Sequence, residues 1–279
     1  QVGHHRGGVL VIGPHEPYLS YVADVLPDLG EDGVRVCLLD EMVPEGRDAV
    51  VESSSRAAAV KGSASMTDMI DRAIRFYETP PTNDMVVETE WGSALIRAAD
   101  WSEAFAAPQA ETPHNDAREE IWAVLGEILV DRLVANVSAG ELASSLREID
   151  EVRDRVESAW TVIDAPDLVA DLWAVPAYLR HCAPWLDDDD RAAVRRNVGS
   201  PWTTADLPVL DIARRRLGDP RATAMRARHA RTIASERARR RAVVDDLVES
   251  DDSELRVMAM LHGDDLQNSL DEIVSPTVE

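Results

Sequence analysis

Four consecutive aspartates, Asp187 to Asp190, set hard oxygen ligands side by side, the donor type that Mg²⁺ takes. The same run precedes the apolar and basic residues Ala192–Arg196, where acids at a helix start would meet the positive end of the peptide dipoles or simply face water. His114 stands next to Asn115 with no second metal-type residue spaced to join it, so the pair reads as a helix start rather than a ligand set. The chain's only lysine, Lys61, lies in Val-Lys-Gly-Ser, without the glycine spacing of a GxxxxGK[ST] phosphate loop. No GxGxxG follows the first apolar run, and neither HExxH nor GxSxG occurs. Cys37 and Cys182 form neither a disulfide framework nor a zinc spacing. Residue chemistry alone therefore names no catalytic centre.

The elements that must position these residues begin with an apolar run, Val9–Ile12, that stops at Gly13-Pro14. Tyr18, Leu19, Val22, Val25, Leu26 and Leu29 then recur at helical spacing before Gly30, and a second apolar run starts at Val34. Strand, helix and strand predict a βαβ unit whose functional loop would be Gly13-Pro14-His15-Glu16, at the carboxyl end of the first strand. Beyond it the chain reads as helical. Ser65 with Asp68 predicts a capped helix, Asp84–Glu90 a short strand, and Asn115 the cap of a helix carrying Ile121, Leu125 and Leu129 on one face. Ser138 with Glu141 is a second capping box. From Trp160 to Trp202 four prolines and four tryptophans predict short helices joined by turns. The tryptophans there serve as packing anchors or as interface residues. Asp206 then caps a helix with Pro208 in its first turn, stopped by Gly218 and Pro220, and Arg221–Glu249 predicts a long Arg-rich helix.

A length of 279 residues with 45% hydrophobic content supports a real core. The net charge of -23 argues against general nucleic-acid or membrane-surface binding. That charge is uneven. Arg191–Arg241 holds 14 Arg against four acids, a window of +10, leaving -33 over the rest and implying a partner with both acidic and basic surfaces. The apolar runs are too short to span a membrane and no charged-then-apolar leader precedes them, so a cytoplasmic protein is expected.

Several segments resemble one family. GVLVIGPHEPYLSYVADVLPDLGEDGVRV (8–36) is similar to the segment after the phosphate loop in HelD and HelR proteins, superfamily 1 helicase-like ATPases that bind bacterial RNA polymerase. His114, Asn115 and Arg118 resemble the family's HN-x-x-R helix start, and Asp167–Leu172 its Q-L-x-x-D-L segment. Leu186–Arg196 resembles the acid-rich run before a helix. Trp202–Asp211 resembles the W-T-x-A-D-x-P-L-L-D signature, and Val257–Leu270 the approach to Walker B. Ile212 departs from the Glu common at that place.

The resemblance implies a mostly α chain with a small βαβ portion, a partial RecA-like ATPase domain carrying a large helical insertion. Residues 1–45 would belong to the first ATPase domain, with Gly13, Pro14 and His15 as its motif Ia turn. Residues 46–175 would form a clamp-opening insertion, 176–200 a loop sent down the polymerase's primary channel, 201–249 the helical return and 250–279 the way back to the ATPase domain. Asp187, Asp188, Asp189 and Asp190, with Trp185, would sit near the loop tip, facing the partner's catalytic Mg²⁺. The phosphate loop would precede residue 1 and Walker B follow residue 279. No cofactor is then expected within these residues, and ATP and Mg²⁺ would serve the full-length protein. The implied partner is bacterial RNA polymerase core, with nucleic acid affected indirectly, no membrane, and rifamycin resistance as an associated property. The alternative is a nucleotide-binding α/β domain that touches single-stranded DNA through the motif Ia turn.

Overall fold

The computed structural model describes residues 10–13, 15–25, 35–133 and 137–225, together with helical positions 228, 232, 236, 239, 240 and 243. The described chain is mostly helical, with two small sheets. Strand β1 (Leu10–Gly13), helix α1 (Glu16–Val25) and strand β2 (Arg35–Leu38) form the expected βαβ unit, β1 pairing parallel to β2 with Ile12 opposite Cys37. Leu10 and Ile12 remain exposed on this two-stranded sheet. Pro14 and residues 26–34, including the expected stop at Gly30, lie outside the described residues.

Two short 3-10 turns (Asp40–Met42 and Pro44–Asp48) lead to α2 (Ser55–Lys61), capped by the Ser54 hydroxyl, and to α3 (Met66–Arg75). Ser65 does not cap α3: it sits in helical geometry, and its N–H and hydroxyl are engaged by the Ser63 hydroxyl instead. Strand β3 (Met85–Thr89) falls within the expected strand and turns at Glu90-Trp91 into an antiparallel partner, β4 (Gly92–Ile96). Helices α4 (Ala98–Ala106), α5 (His114–Val130), α6 (Ala139–Glu148) and α7 (Asp150–Ala159) follow. The Ser138–Glu141 capping box forms at α6 as its spacing dictates. At Gly126 α5 and α6 approach so closely that a Cβ would lie 2.2 Å from the Ala139 carbonyl oxygen.

Residues 160–202 form short helices joined by turns, α8 (Ala165–Ala174), α9 (Pro176–Cys182) and α10 (Asp188–Val194), before α11 (Leu207–Leu217). Within 176–200, the stretch that the family resemblance assigns to a primary-channel loop, Leu179, Cys182, Ala183, Leu186 and Val194 turn inward at helical intervals and anchor α9 and α10 in the core.

Unit 1 of the chain, residues 1–223, has two packing centres. The first gathers α3, α8, α9, α10 and α11 around Met66, Met69, Ile70, Leu172, Trp173 and Leu210. The second gathers the β3–β4 hairpin and α4 to α7 around Trp101, Ile121, Leu125, Leu142 and Val156. Unit 2 begins at residue 224; its described positions are helical, and Thr232 Oγ1 donates to the Arg228 carbonyl at 3.1 Å, one helical turn back.

Candidate functional site

The acidic run is an organised structure. Asp187 caps α10, its Oδ1 accepting the Asp190 N–H at 2.7 Å. Arg56, in the first turn of α2, reaches across and divides its guanidinium among three of the acids. Nε donates to Asp190 at 2.7 Å, Nη2 to both Asp187 oxygens at 3.1 Å, and Nη1 to Asp189 at 3.3 Å. Asp188 pairs with Arg191 at 2.7 Å. The Asp190 N–H holds the Asp187 carboxyl below its usual range, burial opposes this and Arg56 assists it. Asp188 and Asp189 still present side chains 96% and 82% exposed. Beside them Trp185 is exposed, with the Arg72 guanidinium 5.5 Å from its ring centroid. Among the described residues no group of three or more His, Cys, Asp or Glu side chains is placed to hold a metal.

The second constellation is buried and surrounds Lys61, whose side chain is 2% exposed. Val50 pairs with the 202–204 segment, its N–H donating to the Trp202 carbonyl at 2.9 Å and its carbonyl accepting the Thr204 N–H at 2.8 Å. This brings Glu52 beside the W-T-x-A-D residues. Lys61 Nζ lies 2.8 Å from Asp206 Oδ1 and 2.9 Å from Glu52 Oε2, and donates to Thr203 Oγ1 at 3.3 Å. Asp206, fully buried, also accepts the Thr203 N–H at 2.8 Å and pairs with Arg196, whose guanidinium stacks 4.9 Å from the Trp202 ring centroid. Two cations and two carboxylates balance, which is the condition for burying them. The sequence placed Asp206 as the cap of α11; its carboxylate points back to Thr203, Lys61 and Arg196 and makes no cap bond.

Burial alone would raise the Glu52 carboxyl, but hydrogen bonds from Lys61, the Ser54 N–H and the Thr203 hydroxyl lower it to about 2. A carboxyl lowered in the folded state stabilises above its unfolded value of 4.5, and that stabilisation is lost as pH falls toward about 2. Urea unfolding of the wild type and Glu52→Gln between pH 5 and pH 2.5 should therefore differ in slope. The wild type should lose on the order of 2 kcal/mol more over that interval.

The third constellation joins the two cores. Helix α5 starts two residues earlier than expected, at His114 with Pro113 as its cap, which frees the Asn115 side chain for a longer reach. Asn115 donates to the Ile163 carbonyl and accepts the Ile163 N–H, both at 2.9 Å. His114 lies between Glu78 and the Thr161 carbonyl, each 2.9 Å from a ring nitrogen, and stacks on Trp160 at 4.8 Å between ring centroids. The Trp160 indole N–H donates to the His114 carbonyl at 2.8 Å, and Arg118 lies 3.5 Å from Glu157. The residues of the HN-x-x-R match thus fasten α5 to the end of α7 and to the 160–163 segment. A half-open cleft of about 310 Å³ borders this junction, between Arg75 of α3, Glu111 and Arg216 of α11. Its charges are mixed in sign and Arg216 is already bound to Asp71 at 3.0 Å.

The turn at Gly13–His15, which the resemblance assigns to motif Ia, contributes little geometry. Gly13 is packed under Leu19 and Tyr18, His15 is exposed and its Nδ1 accepts the Tyr18 N–H at 3.2 Å, and Pro14 lies outside the described residues. Burial pushes the Cys182 thiol up to about 11, away from nucleophilic use. Among the described residues no helix is long and apolar enough to cross a membrane. No protein-family model and no curated protein matches the chain.

Proposed function

We propose that the chain is the polymerase-binding region of a HelD/HelR-like ATPase. It opens the clamp of bacterial RNA polymerase, directs an acidic surface toward the active site, and so releases nucleic acid for another round of transcription. Displacement of rifamycins is an accompanying expectation. In this reading ATP and Mg²⁺ are handled by the ATPase parts of the full-length protein, and the β1–α1–β2 unit is a portion of a RecA-like sheet. The exposed Leu10 and Ile12 support that last point, since parallel sheets are ordinarily covered on both faces.

One observation carries the reading. In two of the segments that resemble the family, Trp202, Thr203 and Asp206 in one and His114, Asn115 and Arg118 in the other tie distant parts of the chain together.

Retention of the chain by immobilised bacterial core RNA polymerase is the direct test, and failure of the wild-type chain to bind overturns the reading. The role of the acidic run is tested by Asp188→Lys with Asp189→Lys, which leaves Asp187 to cap α10 and Asp190 to pair with Arg56. If the run faces the basic channel wall, affinity should fall roughly tenfold, with a weaker dependence on salt. Unchanged affinity removes the run from the contact. The alternative, single-stranded DNA contacted through Gly13–His15, predicts salt-dependent oligonucleotide binding.

A further inference from the structure

Four aromatic rings meet where α3 ends against α9. The Phe76 centroid lies 5.5 Å from Tyr77, 5.5 Å from Tyr178 and 5.9 Å from His181, all edge-to-face, and Tyr77 lies 6.4 Å from Tyr178. Phe76 nevertheless remains 56% exposed, and Trp185, under Arg72, 40%. The cluster is held in place from below: the Tyr178 hydroxyl donates to the Ala73 carbonyl at 2.9 Å, and Leu179 and Cys182 are buried in the core. In a chain of net charge -23, the last turns of these two helices are locally basic, with Arg72 and Arg75 on α3 and Arg180 and His181 on α9.

We infer that this face of α3 and α9 is a protein-docking surface whose partner presents carboxylates around an apolar recess. Exposed aromatics and arginines on a rigid base are the composition of binding hot spots, and a face ordered before binding loses little side-chain freedom on contact. Phe76 fills the recess, while Arg72 and Arg180 meet the carboxylates at its rim. Nucleic acid fits less well: the rings pack against one another's edges and Arg72 covers Trp185, which leaves no row of free ring faces for successive bases.

The inference rests on the polymerase reading for its partner, so core RNA polymerase is the probe. Phe76→Ala with Trp185→Ala should weaken binding roughly thirty-fold, and Arg180→Glu, at an exposed position, roughly tenfold, each with the thermal midpoint of the wild type. Wild-type affinity in both variants overturns the docking surface while leaving the polymerase reading intact. No binding by the wild-type chain overturns that reading, and this choice of partner with it. Binding of a single-stranded oligothymidylate that is lost in Phe76→Ala with Trp185→Ala makes the face a nucleic-acid platform and overturns the inference as stated.

Discussion

Asp206→Ala should destabilise the chain by about 3–5 kcal/mol, a fall of roughly 10 °C in thermal midpoint. Asp206 is fully buried and is the one carboxylate that touches both cations of the network. Its removal leaves Arg196 without its carboxylate partner and Lys61 with Glu52 alone, and strips the Thr203 N–H and hydroxyl of an acceptor. Most of the expected loss is the cost of an uncompensated buried charge rather than the worth of any single bond. Lys61→Met in the Asp206→Ala background separates the two contributions. If the charge imbalance dominates, the second substitution should recover part of the lost stability in chemical denaturation. A double variant no more stable than Asp206→Ala would place the whole effect on Thr203 and Arg196.

Asn115→Ala should cost about 3 kcal/mol, and its effect should be uneven across the molecule. The side-chain amide satisfies both backbone groups of Ile163, inside the segment that passes from the second core to the first. Leaving a buried N–H and a buried carbonyl without partners costs about 1–3 kcal/mol each. Because the same segment carries Trp160 and Thr161 on His114, loosening it weakens the coupling between the two cores. Calorimetry should therefore show a broadened or split transition, whereas the wild type unfolds more cooperatively. A loss below 1 kcal/mol with a single sharp transition would mean that packing around Trp160 holds the junction without the amide.

Both effects arise from residues whose types were legible in the sequence while their partners were not. His114-Asn115 announced a helix start, yet Asn115 acts on a residue 48 positions away, a pairing that no local periodicity contains. Lys61 spoke only negatively, as a lysine without a phosphate loop, because Thr203 lies 142 positions downstream. That the acidic run stands at a helix start could be read from the sequence, but Arg56, 131 residues from Asp187, could not. Local rules served well where the relevant hydrogen bonds close within a turn. The Ser138 capping box formed, α9 and α10 followed the proline punctuation, and α11 stopped at Gly218, whose φ of 78° suits glycine. They failed at Ser65, where a neighbouring hydroxyl took over the cap's hydrogen bonds, and at β4, where Gly92-Ser93-Ala94-Leu95-Ile96 carries its strand signal only in the last residues.

The burial of Lys61 has a practical side as well. It is the chain's only side-chain amine, and it is sealed beneath Glu52, Asp206 and Trp173. Acylating reagents and amine cross-linkers therefore find no lysine exposed among these residues in the folded state. Lysine acetylation and ubiquitin attachment face the same barrier. Once the 49–54 segment lifts from residues 202–204 the ε-amine becomes reactive, and its rate of modification turns into a site-specific clock for that opening.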